Sequence, residues 1–186
     1  ALLGFTSEAR FLRYAKASLR GMFPYLPTQS GYNKRIRAAT GMLRAVIAYL
    51  VACTSRSSDD VWVVDSTPVE CGRSRETAKR SDLAGWAEYG YCASHSRFFW
   101  GLRLHLVCTL SGLPVAFALA GAKADERDVL LAMFEADPNL VAARPKQKLM
   151  ADKNYHGKAF EAALADADLE LLRPARQGEK PRPGHR

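Results

Sequence analysis

Two aspartates close short apolar segments and could together hold a divalent metal ion. Asp65 closes the run VWVVD, and Asp152 closes the run KLMAD. In open α/β sheets the functional crevice lies beyond the ends of the strands, so carboxylates at such points are well placed for chemistry. Mg²⁺ prefers carboxylate oxygens, and two carboxylates can hold it against phosphate oxygens. The alternative is that each aspartate only caps the turn that follows it.

The segments around the two aspartates predict a mixed β-sheet. VWVVD is an apolar run rich in β-branched residues, typical of a central strand that ends at Asp65. The run FFWGLRLHLVCTL alternates in polarity, and Ser111-Gly112 predicts a turn into a second hairpin strand, LPVAFALAGA. The polar segment 72–96 between them is predicted to be a long connection.

Helices and further strands follow the hairpin. The segment that opens at Asp125 predicts a helix ended by Pro138, and residues 157–166 predict another. KLMAD and LELLRPA predict two more strands. The order strand, hairpin, helix, strand, helix, strand indicates an α/β fold with antiparallel strands first and a crossover unit later.

Residues 1–60 predict a small helical N-terminal region. One helix has its apolar positions between Phe11 and Met22 and ends before Pro24. In a second helix, apolar residues recur at intervals of three and four and predict one buried face; they are Ile36, Ala39, Leu43, Val46, Ile47 and Leu50. Arg35 and Arg37 lie on the other face, where they could contact DNA phosphates or be solvated. The polar stretch 54–60 predicts the boundary to a second domain, residues 61–186.

The charge of the chain is unevenly distributed. The 186 residues carry a formal net charge of +8. Residues 1–60 have 9 basic and 3 acidic side chains, residues 61–172 have 13 and 15, and residues 173–186 have 5 and 1. Basic ends around an acidic centre are compatible with a polyanion bound at the flanks of a carboxylate site, although a basic surface can also be merely solvated.

Several classes of protein are excluded by composition. The four cysteines form no C-x-x-C pair, which argues against a zinc site or a disulfide scaffold and favours a reduced, cytoplasmic protein. No apolar run approaches the roughly 20 residues of a membrane helix. We therefore expect no membrane partner.

Several sequence motifs, in their order and spacing along the chain, resemble those of the bacterial insertion-sequence transposases with a DDE catalytic domain. They are DSTPVECGRSRETAKR, GLRLHLVCTLSGLPVAFALAGAKADERDVL, MADKNYHGKAFEAAL and LLRPARQGEKPRPGHR. The resemblance covers roughly residues 61–186. It implies an RNase H-like mixed sheet with flanking helices, behind the small helical N-terminal region.

The resemblance also implies roles for individual residues. Asp65 and Asp152 match the first and second catalytic acids, which bind two Mg²⁺ or Mn²⁺ ions in the complete enzyme. Position, rather than the resemblance, makes Lys153, Arg173 and Arg176 candidates for contacts with DNA phosphates: Lys153 follows Asp152, and the two arginines lie just past the last strand, where they could also be merely solvated. Where the family's motif is D-K-G-Y, this chain has Asn154; asparagine also tolerates a left-handed turn, so the geometry of the motif can survive the change.

The implied reaction is phosphodiester hydrolysis at the ends of the element, followed by strand transfer into target DNA. The expected partners are double-stranded DNA and a second copy of the chain in a synaptic dimer, in a nucleoid-associated cytoplasmic setting. The family's third acid is a glutamate on a helix expected beyond Arg186, and Glu179 is not assigned that role. Two alternatives stay open: a related metal-dependent nuclease, and a DNA-binding remnant that is inactive without the third acid.

Overall fold

The computed structural model describes residues 4–5, 7–53, 59–72, 74–92 and 96–180. The chain divides into two compact units, Ala1–Leu50 and Val51–Arg186. None of the described helices is both long and apolar enough to span a membrane.

The first unit is helical, as expected. It contains α1 (Glu8–Ser18) and α2 (Gln29–Ala38), and α3 (Thr40–Cys53) begins in it. Leu12 and Ala15 are buried on α1. The second predicted helix is in fact two, because the backbone turns at Ala39 between α2 and α3.

The predicted buried face of that second helix was wrong. Ile36, Leu43 and Val46 are each more than 40% exposed. A repeat of three and four residues shows which apolar side chains share a helix face. It does not show whether another element covers that face.

The second unit is built on a six-stranded mixed sheet. Its strands are β1 (Val61–Gly72), β2 (Glu88–Cys92), β3 (Arg97–Thr109), β4 (Pro114–Gly121), β5 (Gln147–Met150) and β6 (Leu169–Leu172). The order across the sheet is β2-β3-β1-β5-β6, and β4 also pairs with β3. β3 is antiparallel to β1 and β4, whereas β1, β5 and β6 are parallel. The mixed sheet with an antiparallel hairpin first and parallel strands later is the α/β architecture that the order of elements predicted.

Two predictions about the strands need correction. β1 does not end at Asp65 but continues to Gly72, because β3 pairs with it along its whole length. The segment 72–96 is not only a connection: it contains helix α4 (Arg75–Arg80) and the strand β2, which pairs with β3. The polarity of this segment concealed a strand that has exposed side chains on one face.

Three helices cover one face of the sheet. They are α5 (Glu126–Ala136), α6 (Pro138–Ala142) and α7 (Lys158–Asp166). The Asp125 side chain caps α5 by accepting a hydrogen bond from the Arg127 backbone N–H. Pro138 starts α6 rather than simply ending α5. Beneath these helices, Trp62, Leu130, Leu149 and Leu164 form the centre of the core, each at most 1% exposed.

Candidate active site

Asp65 lies on β1, and Asp152 follows the end of the neighbouring parallel strand β5 by two residues. The last residue pair between β1 and β5 is Val63 with Met150. Asp65 and Asp152 each follow two residues later. Because side chains alternate between the two faces of a strand, both project on the face of Val63 and Met150. The expectation that the two aspartates belong to neighbouring strands of one sheet, with the hairpin beyond Asp65, is confirmed.

Burial along both strands supports this orientation. Trp62 and Val64 are buried under the helices, while Asp65 is exposed. On the other strand Leu149 and Ala151 are buried, while Asp152 is exposed. The Ala151 N–H donates to the Leu172 carbonyl at 3.0 Å, so this chain segment follows β6 beyond the end of β5. The two carboxylates therefore share the face that α5, α6 and α7 do not cover.

Short-range hydrogen bonds orient each carboxylate. Asp65 Oδ1 accepts the backbone N–H of Ser66 at 2.7 Å. Asp152 accepts both the backbone N–H and the side-chain amide of Asn154. The backbone of Asn154 is not in the left-handed region, so this asparagine does not use the left-handed turn that it tolerates. The side-chain amide of Asn154 donates a hydrogen bond to Asp152, which a glycine at this position could not do.

The hydroxyl of Tyr155 is buried near three carboxylates. Burial raises the pKa of Tyr155, and the charges of Glu126, Asp65 and Asp152 raise it further. The hydroxyl has no hydrogen-bond partner among the described residues. Tyr155 thus remains protonated and lies beneath the loop that carries Asp152.

His105 belongs to the other side of the sheet. It is opposite Ser66 in the β1–β3 register, so it shares the helix-covered face and not the face of Asp65. It is 2% exposed, and both ring nitrogens lack partners. Burial lowers the pKa of His105; Arg103 adds to this, while the charge of Glu126 opposes it. His105 is thereby kept neutral and is not placed to ligate a metal with Asp65.

A cavity of about 330 Å³ opens between the β4–α5 and β5–α7 loops. Its polar lining is Arg103, Asp125, Glu126, Arg127, Asn154 and His156. Arg127 is ion-paired with Asp125, which lowers the Asp125 pKa to about 2, and it also donates to the His156 carbonyl at 2.8 Å. Gly157 follows with φ at 141°, a conformation that favours glycine. These contacts hold the loop carrying Asp152 against α5.

The predicted DNA-contacting residues have different surroundings. Lys153 is exposed beside Asp152. Arg176 is exposed and its guanidinium contacts the His156 ring, with Nη1 to Nε2 at 2.9 Å. Arg35 and Arg37 are exposed in the last turn of α2, and Arg35 lies over the Tyr25 ring. They belong to the other compact unit.

Arg173 is not presented to solvent. Its side chain is 1% exposed and pairs with Glu161 at 2.9 Å and Glu179 at 2.8 Å. These hydrogen-bonded carboxylates raise the Arg173 pKa, so the guanidinium is a fixed internal cation. In this structure Arg173 joins α7 to the segment after β6, and Glu179 is engaged there rather than beside Asp65.

A family model described as a transposase DDE domain matches residues 55–185. The chain belongs to this family. The solved structure described as "Crystal structure of a pre-cleavage Mos1 transpososome" is similar over 68% of this chain and 40% of that chain, with 12% sequence identity and a TM-score of 0.34. No curated protein gave a significant match.

Sequence reasoning missed three residues of this DDE domain that lie directly behind Asp65. Ser66, Arg103 and Glu126 are hydrogen-bonded to one another on the helix-covered face. Ser66 lies in the D-S-x-P motif, and Glu126 lies in the acidic segment that begins α5, so both residues belong to motifs that the sequence shows. Their contact was not visible, because 60 residues separate them along the chain.

Proposed function

We propose that this DDE domain is the catalytic part of a DNA transposase that hydrolyses phosphodiester bonds at insertion-sequence ends and transfers the freed strand to target DNA. The observation that carries the proposal is the shared position of Asp65 and Asp152. Both lie two residues beyond the last β1–β5 residue pair, on the uncovered face of the sheet. Membership of the family supports the reaction class.

The two aspartates fit a hard divalent cation by their chemistry. Both offer exposed carboxylate oxygens, and each has a neighbouring N–H that fixes one of those oxygens. Mg²⁺ and Mn²⁺ prefer such oxygen ligands. Among the described residues, no group of three or more His, Cys, Asp or Glu side chains comes together as a metal site. We therefore assign two protein ligands, Asp65 and Asp152.

When bound, divalent cations activate water and stabilise the charge that develops on phosphodiester oxygens. The chain's own contribution is to place two carboxylates on a rigid sheet. Ser66 and Asn154 orient them, and the exposed ammonium of Lys153 can neutralise a neighbouring DNA phosphate. Arg176, Arg35 and Arg37 offer further exposed cations, whereas Arg173 is assigned an internal role.

The first test compares Mg²⁺-dependent cleavage of a DNA end by the protein and by its aspartate variants. Asp65→Asn and Asp152→Asn should each abolish Mg²⁺-dependent cleavage of a DNA end, because a neutral amide is a poorer ligand for a hard cation. Binding of the same DNA in a gel shift should survive both changes, since each removes a negative charge near the phosphates. Retained cleavage in either variant would contradict the proposal; lost binding would point to misfolding.

The second test concerns the basic residues of α2. Arg37→Gln alone, and Arg37→Gln combined with Arg35→Gln, should weaken DNA binding. Each lost phosphate contact should also reduce the slope of log K against log salt concentration by about one. Arg13→Gln, an exposed cation on α1, is the matched control. Equal salt slopes for all three proteins would exclude a DNA contact by α2.

A further inference from the structure

Three polar side chains form a closed hydrogen-bonded group behind Asp65, which we name the Ser66 cluster: Ser66, Arg103 and Glu126. The Ser66 hydroxyl donates to Glu126 Oε1 in a short hydrogen bond. Arg103 Nη1 donates to the Ser66 hydroxyl at 3.0 Å and to Glu126 Oε1 at 2.6 Å. Each member is thus bonded to the other two, which fixes all three side chains.

The cluster joins three elements at one point. Ser66 belongs to β1, Arg103 to β3, and Glu126 is the first residue of α5. The side chains of Arg103 and Glu126 are only 19% and 23% exposed, so solvent weakens their ion pair less than it would at the surface. Hydrogen bonds between ionised groups are shorter and stronger than neutral ones. The α5 N-terminus is therefore held against β1 at Ser66.

The location of the cluster along β1 matters for Asp65. β1 has strand partners on both sides only as far as Val63, where its pairing with β5 ends. Beyond that point β3 is the one partner of β1 among the described strands, and the Ser66 cluster supplies support from the helix layer. The cluster thus holds Ser66, and the backbone N–H of Ser66 donates to Asp65 Oδ1 at 2.7 Å.

We propose that Glu126 and Arg103 are positioning residues that act through Ser66 to fix the Asp65 carboxylate for cation binding. This inference rests on the proposed function of Asp65 as a metal ligand. Partners that orient a metal-binding group contribute to affinity without touching the metal, and their loss commonly weakens binding 10- to 100-fold. Glu126 itself is engaged by Ser66 and Arg103 and is assigned no contact with the cation.

The experiment is a Mn²⁺ titration followed by electron paramagnetic resonance of free Mn²⁺, on the 186-residue chain and its variants. Ser66→Ala removes the hydroxyl, and Glu126→Gln keeps the size of the side chain but removes its charge. Each should weaken Mn²⁺ binding about 10-fold. Ser66→Thr keeps a hydroxyl in a residue suited to a strand and should retain most of the affinity.

Glu161→Gln is the matched control, because it removes another part-buried carboxylate that pairs with an arginine, Arg173. Glu161→Gln should leave the Mn²⁺ affinity unchanged. In thermal unfolding it should lose about as much stability as Glu126→Gln does. If Glu161→Gln weakens Mn²⁺ binding as much as Glu126→Gln does, the effect comes from a general loss of structure, and the inference is overturned.

Two further outcomes separate this inference from the proposed function. If Asp65→Asn loses Mn²⁺ while Ser66→Ala and Glu126→Gln bind as the parent chain does, the positioning role is wrong and the metal site stands. If Asp65→Asn binds Mn²⁺ as well as the parent chain, or the parent chain binds none, the metal site is wrong and the inference falls with it.

Discussion

The two faces of β1 differ in what covers them and in what their side chains can do. On one face, Trp62 and Val64 are buried under helices, and Ser66 is bonded to Arg103 and Glu126. On the other, Asp65 is exposed. Along β1, the residues on the covered face hold the strand against the helices, whereas Asp65 on the other face offers its carboxylate oxygens to a ligand.

The contrast extends to the neighbouring strands. On the covered face, buried Leu149 lies beside Trp62 in the β1–β5 register. On the uncovered face, Met150, Phe117 and Leu119 are each at least 40% exposed. A DNA substrate can reach an uncovered face, whereas the covered face is suited to stability and positioning.

The largest expected difference in stability is between two adjacent residues of β5. Leu149 is 0% exposed and Met150 is 45% exposed. Leu149→Ala should lower the free energy of unfolding by about 2–5 kcal/mol, because it leaves a cavity in the core. Met150→Ala should lower it by less than about 1 kcal/mol, as surface substitutions usually do. Urea titrations measure both, and equal losses would show that something covers the Asp65 face.

A smaller effect is expected from acid titration of His105 on the covered face. Its folded pKa is lowered mainly by burial, with Arg103 and Glu126 as the neighbouring charges. The unfolded chain therefore binds a proton more readily, so the stability that neutral His105 allows is lost as the pH falls below the unfolded value of about 6.5. Thermal unfolding at pH 7.5 and 5.5 should show this loss, and His105→Phe should reduce it. Parallel pH dependence in both proteins would exclude His105 as the cause.

Much of the sheet could be predicted from the sequence because its signals are local. Alternating polarity predicted β3, the Ser111-Gly112 pair predicted the turn, and Asp125 predicted the start of α5. The parallel pairing of β1 with β5 followed from the order of elements, and it brought Asp65 and Asp152 together.

The errors have a common physical origin, since they depend on contacts distant in sequence. β1 extends past Asp65 because β3 provides partners for the whole strand. Arg173 is an internal cation because Glu161 and Glu179 fold onto it. The Ser66 cluster needs residues from three elements. None of these partners can be identified from local spacing, whereas Asp65 and Asp152 were selected because they lie in sequence motifs that resemble those of a family.

The most direct test of the account is whether Asp65 and Asp152 bind one cation together. Mn²⁺ titrations should compare the parent chain with Asp65→Asn, Asp152→Asn, the double variant and Asp166→Asn, an exposed control on α7. If the two carboxylates share an ion, each single change should weaken binding at least about 10-fold, and the double change should weaken it little further. Asp166→Asn should bind as the parent chain does. Parent-like Mn²⁺ affinity in either single variant would contradict the central claim that Asp65 and Asp152 form a two-aspartate metal site on the uncovered face of the sheet.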